Sequence, residues 1–301
     1  MAQQAQALLK GHVALSSRHE AKAALDVKGS RTTGKIHSLR TLEKYANSLK
    51  LAGEWAQQET GLKHLKEIST DTAQAYLEYR AASGIGQKQL DADRNALGFI
   101  LDRNTLERVH AVSTPALQAR AYTAEQVHVI ASRQSDRHRL ATEIAHQAGL
   151  RAHELFTLRR ADEGQASTHR QWHPDRFNGR EGYRYIVTGK GGLHREVLLP
   201  TSLAERLEKV RLSAPKTVSD RGIHYTQRYN IAAGESWSKR FSEMSKRALG
   251  WSTGAHGLRH SYAQERMGEL QGLGQPYYRA REIVSQELGH FRGDVVETYL
   301  R

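Results

Sequence analysis

Apolar residues recur at helical spacing in the first half of the chain. Leu39, Leu42, Ala46 and Leu49 stand three or four positions apart, and Ser38 is suited to cap the start of their helix. Ser69 precedes a second helix, whose apolar positions are Ala73, Tyr76 and Leu77. A third helix follows, with apolar positions at Leu90, Leu97, Ile100 and Leu101. No strand pattern precedes residue 120. The pattern therefore predicts an all-helical domain over residues 38–110.

Polar sequence flanks this helical domain on both sides. Residues 1–37 are rich in Gln, Ala, Lys and Ser, and they predict a weakly ordered arm with a short helix at Gln3–Lys10. Residues 111–122 contain Ser113-Thr114-Pro115, and proline interrupts a helix. This second polar segment is the predicted linker to a domain over residues 123–301.

The second half begins with helices. Thr123 and Gln126 have the spacing of a capping box, which indicates a helix start. A further helix contains Leu140, Ile144 and Ala148, and Gly149 is suited to end it.

A β-hairpin is predicted in the middle of this half. Tyr183–Thr188 and Arg195–Leu199 are rich in aromatic and branched residues and lie on either side of the turn Gly189–Gly192. From Ser202 onward the pattern is helical again, with breaks at Pro215, Gly222–Gly234 and Gly272–Pro276. The predicted fold class is mainly α with a small antiparallel β-sheet: an all-helical N-terminal domain followed by an α+β domain.

The charge of the chain points to a polyanionic partner. Its 301 residues have a formal net charge of +13 and a pI near 9.9, and residues 1–120 and 121–301 are both basic. Nucleic acid is the commonest partner of such proteins, and two basic halves fit contact with one duplex. The absence of cysteine excludes disulfides and thiolate zinc sites. Without an apolar run near 18 residues or a signal-peptide pattern, we expect a cytoplasmic protein that does not enter membranes.

Four motifs in the second half stand in a fixed order. They are Gly149–Leu158, Thr188–Arg195, His256–Ala263, and Leu288-Gly289-His290 followed by Tyr299. Their order and form resemble the catalytic domain of the tyrosine recombinases, the phage integrase family. The resemblance covers residues 121–301 by motif and residues 38–110 only by helical layout, where it implies a core-binding, DNA-binding domain.

The chemistry of phosphodiester cleavage explains several of these residue types. Negative charge grows on the non-bridging oxygens of the phosphate, and planar guanidinium groups match that geometry, so Arg151 and Arg259 form the predicted clamp. His256 shares a helix face with Arg259, and His290 is a further hydrogen-bond donor. We assign Glu154 a supporting, structural role.

The remaining two residues act on the bond that forms to phosphorus and on the oxygen that leaves it. Tyr299 is the predicted nucleophile, and clamp cations or a nearby histidine must help to remove its proton. Lys190, at the hairpin tip, is the predicted general acid for the leaving 5′-oxygen. The resemblance implies a 3′-phosphotyrosine intermediate that needs no cofactor and no metal. It also implies double-stranded DNA as partner and a homotetramer on two DNA sites. Accessory DNA-bending proteins are further partners compatible with the resemblance.

Three other functions fit parts of the sequence. A type IB topoisomerase-like enzyme would use the same chemistry to relax DNA, and a DNA-binding protein would act without strand exchange. A metal-dependent nuclease would need ligands, and His169 and His173 have suitable spacing. However, Pro174 argues against a helix there, and no carboxylate cluster accompanies them.

The long polar segment from Arg160 to Gly182 departs from the usual family pattern.

Overall fold

The computed structural model describes residues 1–14, 21, 24, 33–101, 105–112 and 118–301. The chain divides into two compact units, Met1–Ala116 and Leu117–Arg301. Residues 15–20, 22–23 and 25–32 of the predicted arm and residues 113–117 of the predicted linker lie outside the described residues, so their expected conformations stay predictions.

The first unit is built from helices. They are α1 (Ala2–Lys10), α2 (Leu39–Thr60), α3 (Thr70–Ala82) and α4 (Gln87–Leu97), with a short 3₁₀ turn at Leu65–Glu67. The side chain of Ser38 accepts a hydrogen bond from the Thr41 backbone N–H, and Ser69 accepts one from Thr72. These caps satisfy backbone donors that helix starts leave free, so both predicted helix starts are confirmed.

Helix α1 belongs to the core of the first unit. Ala5 and Leu9 are fully buried, and they share a hydrophobic cluster with Leu49 of α2 and Leu77 of α3. The first ten residues are therefore part of this domain and not a loosely ordered arm. The predicted short helix at Gln3–Lys10 is confirmed as α1, but its place in the core was not predicted, because its burial depends on contacts with residues far along the chain.

The second unit surrounds a larger core. Its helices are α5 (Ala124–Ser132), α6 (Asp136–Gln147), α7 (Thr201–Lys209), α8 (Gly234–Leu249), α9 (Gly257–Gly272) and α10 (Tyr277–Glu287). Thr123 and Gln126 form the predicted capping box. Trp237 and Phe241 of α8 are buried in the main cluster, whereas α9 and α10 form a second cluster that includes Leu288 and Tyr299.

A small antiparallel sheet presents the second motif. Its strands are β1 (Arg159–Arg160), β2 (Tyr183–Thr188) and β3 (His194–Leu199), in the order β1-β2-β3. Tyr185 pairs with Val197 and Thr188 with His194, so the predicted hairpin is confirmed. Lys190–Gly192 forms a 3₁₀ turn at its tip.

A second hairpin was not predicted. Its strands are β4 (Arg211–Asp220), on residues assigned to an interrupted helix, and β5 (Ile223–Tyr229), inside the predicted break Gly222–Gly234. The two strands pair in an antiparallel sheet of their own. Tyr225 of β5 stacks on Phe156 with ring centroids 5.1 Å apart. Packing of alternate residues against the first motif therefore decides the conformation of this segment, and a helical interpretation of its interrupted pattern was wrong.

Two negative findings apply to the described part of the chain. None of its helices is long and apolar enough to cross a membrane. None of its His, Asp and Glu side chains form a group of three or more that could hold a metal ion.

Candidate active site

The first motif starts at a tight reversal after α6. Gly149 has a left-handed φ of 58°, and a Cβ there would lie 2.8 Å from the Tyr262 ring and 2.9 Å from Leu288. Only glycine allows both the turn and this close packing. The reversal places Arg151 beside the ends of α9 and α10.

Arg151 is held by a carboxylate three residues later. Its backbone N–H donates to Glu154 Oε2 at 2.9 Å, and its Nη1 donates to Oε1 at 2.6 Å. One face of the guanidinium fork is fixed in this way. The other terminal nitrogen, Nη2, lies 3.3 Å from His290 Nε2.

Glu154 is the buried centre of a cation cluster. Arg195 on β3, which is also fully buried, donates from Nη2 to Glu154 Oε2 at 2.7 Å. Burial alone would raise the pKa of the Glu154 carboxyl, but the charges of Arg195, Arg151 and Arg259 outweigh it and hold that pKa far below its usual range. Glu154 therefore stays ionised and fixes two arginines.

Arg259 lies in the first turn of α9 with no exposed surface. It donates to the carbonyl oxygen of Gly149 and, at 2.9 Å, to that of Leu288. Burial and the nearby charge of Arg151 lower the pKa of Arg259 to about 10, which still leaves it charged at neutral pH. The guanidinium carbon lies 5.6 Å from the centroid of the Tyr299 ring.

His290 is the point at which the site converges. Its Nε2 lies 3.3 Å from Arg151 Nη2, 3.4 Å from Arg259 Nη2 and 3.1 Å from the Tyr299 hydroxyl. Burial and the two arginine charges lower the pKa of His290 to about 3, so the ring is neutral at pH 7. Because guanidinium groups only donate, these contacts favour Nε2 as acceptor and Nδ1 as the protonated nitrogen.

Tyr299 lies inside the second hydrophobic cluster. Its side chain is only 6% exposed, and it follows the 3₁₀ turn Gly293–Thr298. Gln264 of α9 donates to the backbone oxygen of Tyr299 at 3.1 Å. The hydroxyl is therefore held at His290 by contacts on both sides of the residue.

The other two predicted residues lie at different distances from this cluster. His256 occupies the N-cap position of α9 without a side-chain capping hydrogen bond, and its ring centroid is 5.7 Å from that of Tyr299. Lys190 is exposed at the hairpin tip and makes no hydrogen bond or ion pair with the described residues. The structure thus brings together Arg151, Glu154, His256, Arg259, His290 and Tyr299, but it does not bring Lys190 into contact with them.

Two residues of the cluster were not predicted from the sequence. Arg195 ends the second motif and was given no role, although its charge next to a hairpin was visible. His260 directly follows Arg259; it is 2% exposed, its ring centroid is 5.0 Å from that of Tyr299, and its Nδ1 has no hydrogen-bond partner. Burial distinguishes both residues, and burial depends on the tertiary structure.

The fold is similar to that of solved tyrosine recombinases, so the resemblance drawn from the motifs is confirmed at the level of the fold. Residues 33–97 match the family model described as phage integrase, N-terminal SAM-like domain. No curated protein matches the chain.

Solved structures give the same result for the whole chain. The XerH site-specific recombinase bound to difH substrate in a pre-cleavage complex is 16% identical with a TM-score of 0.57, over 100% of this chain and 90% of that one. A lambda integrase dimer, residues 75–356, bound to a COC′ core site is 17% identical with a TM-score of 0.54, over 94% and 93%. The Tn1549 transposon integrase with transposon right end DNA is 13% identical with a TM-score of 0.52, over 95% of each chain.

Proposed function

We propose that this protein is a site-specific DNA recombinase that cuts and rejoins DNA strands through a 3′-phosphotyrosine intermediate. The convergence of the Tyr299 hydroxyl and two arginines on one neutral histidine supports this proposal most directly. The basic charge of both halves fits a DNA duplex as substrate.

In this mechanism the Tyr299 oxygen attacks the phosphorus of the scissile phosphate. The hydroxyl proton passes to His290 Nε2, which accepts it because the ring is neutral. Arg151, Arg259 and His256 stabilise the charge on the non-bridging oxygens. The bond between phosphorus and the 5′-oxygen breaks as the bond to Tyr299 forms, and Lys190 protonates the leaving oxygen.

Rejoining reverses these steps. A 5′-hydroxyl attacks the phosphotyrosine, and the tyrosine leaves as the restored hydroxyl. The phosphoester bond is conserved throughout, so neither a nucleotide nor a metal enters the balance. Exchange of strands between two DNA sites requires several active sites, and a homotetramer on two sites is the assembly that we propose, serving integration, excision or resolution of a mobile element or plasmid.

The test is covalent capture on DNA. The protein is incubated with nicked suicide substrates drawn from DNA that flanks its own coding sequence, and adducts are resolved on a denaturing gel. Wild-type protein is expected to form a covalent adduct. The Tyr299→Phe variant is expected to bind DNA as well as the wild type but to form no adduct. Tyr278→Phe is the matched control, because Tyr278 is exposed and lies outside the site. An adduct retained in Tyr299→Phe would contradict the assignment.

Two further arms separate the alternatives. Cleavage that is abolished by EDTA would indicate a metal-dependent nuclease. Relaxation of supercoiled plasmid without joining of two marked DNA sites would indicate a topoisomerase-like enzyme, whereas exchange of flanking markers is the result expected for a recombinase.

A further inference from the structure

The backbone on the C-terminal side of His290 is strained. Phe291 has a φ of 62°, a left-handed conformation that costs free energy for any residue with a Cβ. Residues held in such conformations persist only where the surrounding structure determines them. The contacts of the Phe291 side chain are therefore part of what fixes the backbone next to His290.

Those contacts come from the long polar segment between the first motif and β2. The ring of Trp172 lies 4.7 Å from that of Phe291, and the guanidinium carbon of Arg170 lies 5.0 Å from the Phe291 centroid. Arg176 lies 4.4 Å from the Trp172 ring. We name these four residues, Arg170, Trp172, Arg176 and Phe291, the Trp172 stack.

The Trp172 stack is anchored to the sheet. Arg176 donates from Nη2 to Glu196 of β3 at 2.8 Å, and the Trp172 indole N–H donates to the Ser167 carbonyl oxygen at 3.0 Å. Ser167 in turn pairs with His194 of β3 through two hydrogen bonds of 3.0 Å. The segment is thus fixed to the same hairpin that presents Lys190.

The segment is also fixed to the end of α10. The backbone N–H of His173 donates to Gln286 Oε1 at 2.6 Å, and that of Phe177 donates to Glu287 Oε1 at 2.8 Å. Only Leu288 and Gly289 separate these two residues from His290. The segment therefore contacts the chain on both sides of His290, at residues 286–287 and at Phe291.

We propose that Trp172 and Phe291 are positioning residues that hold the His290 ring against Tyr299, a role that rests on the proposed function. Cation–π and aromatic contacts in the Trp172 stack offset the strain at Phe291. Loss of the stack releases the strained backbone, and His290 Nε2 then leaves its place between the two arginines and the tyrosyl hydroxyl.

The first experiment observes His290 without any DNA. Side-chain ¹⁵N NMR of the full chain, with His290→Gln to assign the signal, gives the pKa and tautomer of His290. In Trp172→Ala the pKa of His290 is expected to rise toward its ordinary value of about 6.5. Trp172→Phe, which keeps a ring in the stack, is expected to leave it low.

The control removes a tryptophan from another place in the same unit. Trp251 is 40% exposed and stacks on Tyr122 at 5.1 Å, so Trp251→Ala loses a comparable aromatic contact without touching Phe291. Its His290 signal is expected to match that of the wild type. A folded Trp172→Ala protein with an unchanged His290 signal would overturn the proposal.

Two further variants separate strain from stacking. Phe291→Ala loses the stack but keeps a Cβ in the left-handed conformation, whereas Phe291→Gly loses the stack and the strain together. Phe291→Ala is expected to unfold at lower denaturant concentration than Phe291→Gly. The reverse order would show that the backbone at position 291 is not strained, so that the stack has no strain to offset.

The activity arm is kept separate from the NMR arm. On a suicide substrate that the wild type cleaves, Trp172→Ala is expected to form adduct about 10- to 100-fold more slowly, with unchanged DNA affinity. Trp172→Phe is expected to recover most of the rate. If the wild type forms no adduct while the NMR response is present, the proposed function fails and the positioning of His290 stands; full activity in Trp172→Ala overturns the positioning role itself.

Discussion

The buried cluster around Glu154 and the hairpin tip at Lys190 belong to the same set of motifs, but they differ in burial and in hydrogen-bond partners. Glu154, Arg195 and Arg259 are fully buried, and each has partners at fixed distances. Lys190 is exposed and free of such partners among the described residues. One region is assembled before any substrate arrives, and the other is not.

This difference matches the two kinds of chemistry that phosphoryl transfer needs. Charge that develops on non-bridging oxygens is stabilised best by donors that require no reorganisation, and buried ion pairs supply them. A proton must instead be delivered to one leaving oxygen, whose position is defined only when DNA is bound. Mutations in the two regions should therefore separate effects on stability from effects on rate.

After the nucleophile Tyr299, the largest expected effect on rate is at Lys190. Lys190→Ala is expected to slow cleavage by about 10²–10⁴-fold, the range for loss of a general acid, while the free energy of unfolding changes by less than about 0.5 kcal/mol. A substrate with sulfur in place of the bridging 5′-oxygen needs no proton, so it is expected to restore the rate. Single-turnover cleavage of both substrates measures this.

Lys216→Ala serves as the control for Lys190, because Lys216 is exposed on the other hairpin. It is expected to cleave both substrates at the wild-type rate. If Lys190→Ala is equally slow on both, Lys190 is a phosphate-binding residue, and the acid must be sought among His256, His290 and water.

Arg259→Ala is expected to change both rate and stability. Loss of one preorganised donor slows cleavage by about 10²–10³-fold. The carbonyl oxygens of Gly149 and Leu288 also lose their partner, at a cost of about 1–3 kcal/mol for each buried unsatisfied group. Sulfur substitution should not rescue this variant. Full rescue would mean that Arg259 lies in the path of the proton and not in the clamp.

Local sequence determined much of the fold, and its failures have a common cause. The caps at Ser38, Ser69 and Thr123 and the hairpin around Gly189 depend on neighbours in sequence, and they were predicted. The β4–β5 hairpin depends on packing between Tyr225 and Phe156, which are far apart in the chain.

In the site, too, features that depend on tertiary contacts were not predicted. The motif residues could be found because their chemistry restricts the residue type, but their roles stay predictions. Arg195 and His260 could not be found, because a buried arginine and a surface arginine have the same sequence pattern. Lys190 lies at the hairpin tip as predicted, but its lack of contact with the other motif residues could not be predicted from the Gly-rich turn alone.

Glu154→Gln tests the buried cluster alone. The variant leaves Arg195 buried without a counter-charge, so the free energy of unfolding at pH 7 is expected to fall by about 3–5 kcal/mol. Glu243→Gln is the control, because Glu243 pairs with Arg240 and both side chains are about half exposed; a loss of about 1 kcal/mol or less is expected. Chemical denaturation measures both, and equal losses would show that burial adds nothing at Glu154.

The pH dependence of that loss has a definite sign. The pKa of Glu154 is lower in the folded protein than its ordinary value near 4.5, so its contribution is fully present above that value. As pH falls below about 4.5, the unfolded chain takes up a proton that the folded one refuses. The difference between wild type and Glu154→Gln should therefore shrink with acidification, and a difference that grows would contradict the ion-pair assignment.

The smallest expected effect is a near absence of change, and it concerns His290. A histidine base with an ordinary pKa near 6.5 would lose about 90% of its neutral form by pH 5.5. Because burial and the charges of Arg259 and Arg151 lower the pKa of His290 to about 3, its ring stays neutral across this range. The single-turnover cleavage rate is therefore expected to change by less than about twofold between pH 7.5 and 5.5. Arg151→Gln removes one of the two charges and should raise the pKa of His290, so its rate should fall further on acidification than that of the wild type. A wild-type rate that falls tenfold with a midpoint near pH 6.5 would mean that the arginines do not keep His290 neutral.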